Sequence, residues 1–261
     1  MILPGLALIF ISTIFFYKSY SQWKRLQQIE STEPATVELL HSLDESMDAG
    51  VGAGNLRFDT ETSGAVLCDS PLISELTRTK CVYYAMRIVQ HYEEEYIERQ
   101  PRGRAIRRTR RGVQEVIFNK RATPFQLKDK TGTIEVNPAG ATFVPQMAHS
   151  QFVQPDFANR IIVGKTVIQL PSHRRDHQRY IKGYQVEEEL VPLNSRIYIN
   201  GEASDSSGTL QLQRSTEREV FLISTKSEKE LLKRGHSQVN VYGIAGTVLF
   251  LAGIFVIFFV R

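Results

Sequence analysis

Residues 239–260, VNVYGIAGTVLFLAGIFVIFFV, contain no Asp, Glu, Lys or Arg and decide how this chain is built. At about 1.5 Å per residue, a helix over this run is about 33 Å long, enough to cross a hydrocarbon core roughly 30 Å thick. Residues 1–17, MILPGLALIFISTIFFY, are also charge-free, and a helix over them is about 25 Å long, at the lower limit for a span. We therefore predict an integral membrane protein with two spans.

The alternative for the first run is a cleaved signal peptide, which has a basic segment before the apolar run and a small-residue cleavage site after it. No Lys or Arg precedes this run, and no A-x-A follows it. Trp23, Lys24 and Arg25 resemble an interfacial anchor instead. We favour an uncleaved first helix.

The orientation is predicted from the basic residues beside the two runs, all of which lie on the side of the middle segment. They are Lys18, Lys24 and Arg25 after the first run, and Lys226, Lys229, Lys233 and Arg234 before the second. By the positive-inside rule, the middle domain is cytoplasmic and both termini lie on the opposite side of the membrane.

The charge balance of the middle segment argues against a nucleic-acid partner. It holds all 28 acidic residues and all of the 32 Lys and Arg residues except Arg261, so it is nearly neutral. The two cysteines, Cys68 and Cys81, exclude a disulfide-dense scaffold. They could form one bridge, but two buried thiols are favoured in a reducing compartment.

The middle segment predicts an α+β fold, mainly β, with a compact β-barrel or sandwich domain between two transmembrane helices. Val37, Leu40, Leu43 and Met47 share one helical face, and many short period-two runs separated by Gly, Asn and Asp turns follow. The predicted organisation is a transmembrane helix at 1–20, a helical linker at 21–50, a β-rich domain at 51–225, a basic juxtamembrane helix at 226–236 ended by Gly235, and a transmembrane helix at 237–260.

The most prominent local feature is a run of seven arginines within residues 99–111, directly after several glutamates. We favour a solvated hairpin loop whose charges balance their neighbours, and a short strand is expected only from 116 to 118. Contact with an anionic membrane surface is a second interpretation, and nucleic-acid contact is a third, which lacks interleaved aromatics. The candidate membrane-surface residues are Arg107, Arg108, Arg110, Arg111, Lys229, Lys233 and Arg234.

The sequence predicts no catalytic residue, metal site or cofactor. His173 and His177 have a spacing that suits zinc only if Cys or carboxylate ligands complete the site, and we interpret this pair as a polar turn. Glu187, Glu188 and Glu189 end a strand and could pair with nearby basic residues. No phosphate loop or nucleophile elbow is present.

An ordered set of segments resembles the GIDE, or "beside a membrane", domain family, typified by a RING-type ubiquitin ligase of the mitochondrial outer membrane. The segments include KCVYY at 80–84, TPFQL at 123–127 with its DKTG turn, YQVEEEL at 184–190 and IYINGE at 197–202. The positions carrying the resemblance are Cys81, Tyr83, Tyr84, Pro124, Phe125, Gly132, Gly201 and Glu202.

The resemblance implies a ubiquitin-ligase family but no catalysis by this chain alone. Ligase members carry a zinc-binding RING after the second span, whereas only Arg261 follows it here, and two cysteines cannot build two Cys-rich zinc sites. We expect a non-enzymatic, RING-less scaffold or sensor that binds a lipid or unknown protein partner at the lipid bilayer. The alternative is an accessory or substrate-recognition subunit of a ubiquitin-ligase-like system.

Overall fold

The computed structural model describes residues 2–50, 52–99, 105–156, 159–164, 166–170, 179–217 and 220–259, which hold three helices and fifteen strands. The helices are α1 (Ile2–Glu30), α2 (Val37–Gly50) and α3 (Glu228–Phe259). The strands are β1 (Glu33–Pro34), β2 (Arg57–Leu67), β3 (Leu72–Ile73), β4 (Lys80–Arg99), β5 (Ala105–Ala122), β6 (Phe125–Lys128), β7 (Thr133–Val136), β8 (Thr142–Val144), β9 (Gln146–Val153), β10 (Arg160–Val163), β11 (Thr166–Gln169), β12 (Arg179–Pro192), β13 (Arg196–Ser204), β14 (Gln211–Gln213) and β15 (Leu222–Ser224).

Helices α1 and α3 carry the two charge-free runs and lie antiparallel against each other. Gly5 near the start of α1 meets Gly253 near the end of α3, and Leu26 near the end of α1 meets Gly235 near the start of α3. Both helices are long and apolar enough to cross a membrane. The prediction of two apolar helices near the termini is therefore confirmed, while their orientation stays a prediction.

Glycines allow the two helices to approach closely. A Cβ placed on Gly253 would lie 2.9 Å from the carbonyl oxygen of Gly5, and one placed on Gly235 would overlap the Leu26 side chain. Small residues serve this purpose at helix contacts in membranes. The prediction that the juxtamembrane helix ends at Gly235 is wrong, because α3 continues through this residue and uses its missing side chain for packing.

Five strands close into a barrel in the order β2-β6-β7-β14-β13, and β13 pairs back onto β2. All of these pairings are antiparallel except that between β7 and β14, which is parallel. Buried side chains of alternate strand positions fill the core, among them Leu127, Val136, Ile199 and Leu212. The prediction of a mainly β fold is confirmed, and the domain takes the barrel form.

Helix α2 packs on the barrel core through the face predicted from its spacing. Val37 and Leu40 are fully buried there, with Leu43 and Met47 packed beside them. The helix is fixed at its first residue by Asp129 in the β6–β7 turn, whose Oδ2 accepts a hydrogen bond from Val37 N at 3.0 Å. The same carboxylate accepts bonds from the backbone of Thr131 at 2.7 Å and of Gly132 at 2.9 Å.

These hydrogen bonds favour the charged form of Asp129. Burial raises the pKa of this carboxyl, but the donors at Val37, Thr131 and Gly132 outweigh burial, so the pKa lies below its usual value. Because the folded-state pKa is below the unfolded one, the stabilisation is present above about pH 4. It is lost as the pH falls through the folded-state pKa.

We expect Asp129→Ala to lower the free energy of unfolding of the full chain in non-ionic detergent by about 2 kcal/mol at neutral pH, because a helix cap is lost. The variant should also lose less stability than the wild type on acidification below about pH 4. Urea unfolding followed by circular dichroism at several pH values measures both effects. Asp69→Ala, at an exposed position, is the control, and an equal pH profile for Asp129→Ala and wild type would contradict the assignment.

The remaining long strands form an open sheet in which β4 is central, with β5 on one side and β12 followed by β9 on the other. We call the face covered by the β10–β11 hairpin the inner face. Ile161 and Val163 of that hairpin pack there against Met86, Ile88 and Val186. The opposite, outer face has no such cover among the described residues.

Strand β5 is longer than the sequence predicts. The arginine run was interpreted as a loop, but its described part, residues 105–111, belongs to β5 and pairs with β4. The physical reason is that opposite charges face each other across the two strands, which stabilises a polar strand pair that has little apolar content.

Candidate binding surfaces

The chemistry of Cys81 is that of a structural thiol. The side chain is fully buried, and its Sγ contacts the carbonyl oxygen of Leu72 at 3.8 Å. Burial and the nearby Glu188 carboxylate raise the pKa of the Cys81 thiol to about 11. A protonated thiol is neither a nucleophile nor a metal ligand at neutral pH. Both cysteines are free thiols, as predicted, but only Cys81 is buried, and Cys68 is partly exposed.

One acidic cluster has the spacing of a cation site. Carboxylate oxygens of Asp44, Asp48 and Asp205 lie within 4.8 Å of one another, and burial followed by the charges of Asp205 and Asp48 raises the pKa of Asp44. Asp205 already accepts hydrogen bonds from the backbone N–H groups of Gly54 and, at 2.8 Å, Leu56. The cluster therefore ties the segment after α2 to the barrel.

The predicted polar turn at His173 and His177 lies outside the described residues.

Tyr83 and Tyr84 have packing roles on opposite faces of β4. The Tyr83 ring stacks on Phe143, with centroids 3.9 Å apart and ring planes 10° from parallel. Tyr84 is buried on the inner face and donates its hydroxyl to Glu75 at 3.0 Å. The first ring joins the sheet to the strand β8 beside the barrel, and the second holds the β3–β4 loop.

Pro124, Phe125 and Gly132 belong to the barrel segment around β6. The Pro124 carbonyl accepts a contact from Cys68 Sγ at 3.6 Å, and Phe125 is a buried member of the core. A Cβ on Gly132 would lie 3.1 Å from Val37 Cγ1, so this turn leaves room for α2.

Gly201 and Glu202 hold the opposite side of the barrel. A Cβ on Gly201 would lie 2.7 Å from the Phe221 ring, so the glycine lets this buried ring pack on β13. Glu202 is buried and accepts hydrogen bonds from Ser215 Oγ at 3.0 Å and Gln213 Nε2 at 3.4 Å. These family-motif positions are structural in their contacts.

Glu188 is a buried carboxylate that the sequence analysis did not distinguish from its neighbours. Its side chain is fully buried in the inner face and accepts hydrogen bonds from four groups of the β3–β4 loop. They are Leu76 N at 2.7 Å, Thr77 N at 2.9 Å, Thr77 Oγ1 at 2.6 Å and Ser74 Oγ at 3.0 Å. The neighbouring Glu187 lies on the outer face and pairs with Arg87 at 2.9 Å.

The four candidate membrane-surface arginines of β5 are each paired with a glutamate of β4. The pairs are Arg107–Glu95 at 3.5 Å, Arg108–Glu98, Arg110–Glu94 at 2.7 Å and Arg111–Glu93 at 3.1 Å. Hydrogen bonding from Arg110 lowers the pKa of Glu94. The geometry is that of the charge-balanced hairpin, while membrane contact by these residues and by the exposed Lys229, Lys233 and Arg234 of α3 stays a prediction.

The outer face of the sheet exposes several large apolar side chains. They include Val113 at 65%, Phe118 and Met147 each at 52%, and Phe152 at 49% of their full accessible area. Strand pairing places them on one face, since Phe118 lies opposite Arg87, Val113 opposite His91, and both partners are outward-facing positions of β4. The Arg87–Glu187 ion pair lies between Phe118 and the side chains of β9, so these apolar groups are grouped on one face without forming one continuous patch. Exposed apolar surface marks interaction sites in soluble domains.

A cleft of about 410 Å³ lies at one end of the outer face, lined by His91, Tyr92, Glu93, Arg111, Gly112, Val113, Phe152 and Lys182. The Phe152 ring stands edge-on to His91, with centroids 5.5 Å apart. At the polar end of the cleft, Lys182 contacts Glu93 at 3.0 Å. Glu93 also forms the ion pair with Arg111. Two cations around one carboxylate leave a net positive rim beside an apolar wall.

Comparison with known proteins gives one finding. The protein-family model GIDE, described as "E3 Ubiquitin ligase", matches residues 93–258. The chain belongs to the GIDE family. Neither the curated proteins nor the solved structures include a match to it. The family resemblance read from the sequence motifs is thereby confirmed.

The GIDE match begins inside β4 and ends inside α3, so it includes most of the outer face, the barrel from β6 onward and the second apolar helix. In this GIDE chain, two features of that region were missed by sequence reasoning. Glu188 lies two residues from each of the buried Val186 and Leu190, and that alternation is the signal that could have revealed it. The outer face had no comparable signal, because it is assembled from separate strands.

Proposed function

We propose that this GIDE-family chain is a membrane-anchored, non-enzymatic scaffold whose outer face binds a protein partner at the membrane surface. The observation that supports this most is the group of exposed apolar side chains on the outer face, in contrast to the inner face, which the β10–β11 hairpin covers.

The chemistry of the cleft indicates the kind of partner segment it would accept. An apolar side chain would fill the space beside Val113 and Phe152, and an acidic group would meet the positive rim of Arg111 and Lys182. We propose a cytoplasmic protein with such a segment, in keeping with the basic residues beside both apolar runs.

The second candidate function is favoured by the family description. As an accessory or substrate-recognition subunit in a ubiquitin-ligase-like system, the chain would hold a substrate or a catalytic chain on the same outer face. The identity of the bound protein separates the two functions, because a RING-bearing chain or a ubiquitin-conjugating enzyme belongs only to the second.

Photo-crosslinking in cells that express the full chain tests the proposal. A photoreactive amino acid at Phe118, on the outer face, should give a discrete crosslinked product with a cytoplasmic protein. The same group at Ile162, which is 58% exposed on the β10–β11 hairpin, is the matched control and should give none. Adding Val113→Glu to the first chain should reduce its product about tenfold or more, since charge replaces a central apolar contact.

Equal products at positions 118 and 162 would contradict a specific outer-face site, and so would a product at 118 that Val113→Glu leaves unchanged. A crosslinked protein from the opposite side of the membrane would contradict the cytoplasmic placement of the domain.

A further inference from the structure

A cavity of about 370 Å³ lies where the polar ends of α1 and α3 meet strands β15 and β8, which extend the sheet from β13 beside the closed barrel. Its wall is apolar, with Leu26, Ile29, Leu222 and Leu231 among the lining side chains. Three of these, Ile29, Leu222 and Leu231, belong to the small hydrophobic cluster that joins the helices to the barrel. The cavity is therefore built into the helix–domain junction.

The rim of this cavity is cationic. Arg25, Lys226 and Arg234 line it, together with the amide side chains of Gln22 and Gln238. None of its described lining residues is acidic, and none of the three cations has a carboxylate partner in the part of the chain that the structure describes. The arginines of β5 differ in this respect, because each is neutralised by a glutamate of β4.

The cavity lies at the level expected for lipid headgroups. Ser19 Oγ donates to the carbonyl oxygen of Val239 at 3.0 Å, which marks where both helices leave their apolar runs. Arg25 is six residues beyond Ser19 and Arg234 five residues before Val239, so both are about 8 or 9 Å from that level along the helix axes. Headgroup regions extend roughly 5 to 8 Å beyond the hydrocarbon core, and arginine side chains reach back over such distances.

We propose that this junction cavity binds the headgroup of an anionic glycerophospholipid. The phosphate accepts hydrogen bonds from Arg25, Arg234 and Lys226, and the glycerol backbone contacts the apolar wall. The acyl chains continue along the apolar parts of α1 and α3, which begin directly after Gln238 on α3 and about 8 Å from Gln22 on α1. Basic pockets beside transmembrane helices bind anionic headgroups in this way. The site is independent of the outer face and of any protein that binds there.

A lipid is favoured over a soluble phosphate compound for two reasons. First, a phosphate alone would leave the apolar wall of the cavity without a contact. Second, the cavity opens beside helix segments that lie in hydrocarbon when α1 and α3 cross a bilayer. A soluble ligand would have no group to place on either surface.

Native mass spectrometry of the full chain in non-ionic detergent tests the proposal. With equimolar phosphatidylglycerol and phosphatidylcholine, we expect one phosphatidylglycerol to be retained preferentially. The variant Arg25→Gln/Lys226→Gln/Arg234→Gln should lower this preference by about tenfold or more. The control Lys18→Gln/Lys24→Gln/Lys130→Gln removes the same charge from exposed positions outside the cavity and should keep it.

A third arm distinguishes the source of the phosphate. Glycerol 3-phosphate at millimolar concentration should displace little phosphatidylglycerol from the wild type, and full displacement would assign the cavity to a soluble phosphate compound and overturn the lipid site. Equal loss of preference in the two triple variants would also overturn the proposal, because it would show a general charge effect. Circular dichroism melting of both variants confirms that they are folded.

Discussion

Glu188→Ala is expected to lower the free energy of unfolding of the full chain by about 3 to 4 kcal/mol, because it leaves the buried donors Leu76 N and Ser74 Oγ without this acceptor. The backbone N–H groups of Leu76 and Thr77 point at this carboxylate from 2.7 and 2.9 Å. Because the Glu188 side chain is fully buried, the freed donors are shielded from bulk solvent and the lost hydrogen bonds are costly. Glu188→Gln should cost less, since one carbonyl oxygen remains as an acceptor.

The neighbouring residue provides a matched control. Glu187→Ala removes the same carboxylate from the outer face, where Glu187 pairs with the half-exposed Arg87, and surface pairs of this kind contribute at most about 1 kcal/mol. Urea unfolding in detergent measures all three variants. Amide hydrogen exchange at Leu76 gives a local readout and should become much faster in Glu188→Ala only. Similar losses of stability for the two alanine variants would show that Glu188 is not the anchor of the β3–β4 loop.

Gly64→Val is expected to prevent closure of the barrel. A Cβ at Gly64 would lie 2.5 Å from the carbonyl oxygen of Lys128 and 2.8 Å from its carbonyl carbon. Both are backbone atoms of β6, and the adjacent residue Ala65 pairs directly with Lys128. Glycine serves such close approaches at barrel corners. Because the strand must separate to make room, we expect a loss of more than about 4 kcal/mol.

Limited proteolysis of the full chain in detergent measures whether the barrel of Gly64→Val is closed. The wild-type barrel should resist the protease, and Gly64→Val should be cleaved rapidly within the β-rich domain. Ser63→Val, one residue earlier and on the other side of β2, introduces the same side chain and should remain resistant, since a β-branched residue suits a strand. Protection of Gly64→Val equal to that of Ser63→Val would contradict the close approach.

The sequence predicted the parts of the fold that depend on local composition. The charge-free runs gave the two apolar helices, and the spacing of Val37 and Leu40 gave the buried face of α2. Barrel closure was not predictable, because it depends on the pairing of β2 with β13, and on β14, which is only three residues long. The arginine run suggested a solvated hairpin loop balanced by the neighbouring glutamates, whereas the register that pairs residues 105–111 with β4 as a strand was not predictable from composition.

For the binding surfaces as well, the sequence predicted what depends on local composition and missed what depends on distant contacts. Cys81 was predicted as a buried thiol because the domain was expected in a reducing compartment. Glu188, which contributes to the raised pKa of Cys81, was hidden within a run of three glutamates. The cationic junction cavity combines Arg25, Lys226 and Arg234 from both ends of the chain. Each was visible as a basic flank, but their convergence required the antiparallel contact of α1 and α3.

The closure of the barrel by β13 has a consequence for how the chain is made. Leu56 N–H, directly before β2, binds the carboxylate of Asp205, 149 residues later in the chain. During synthesis, β2 therefore emerges long before the strand that completes it. Contacts so distant in sequence form slowly, and an unpaired strand edge is open to wrong partners meanwhile. Residues 205–227, which include the last barrel strand β14, lie between β13 and the start of α3 at Glu228, so barrel completion and synthesis of the second apolar helix fall in the same late interval of biogenesis.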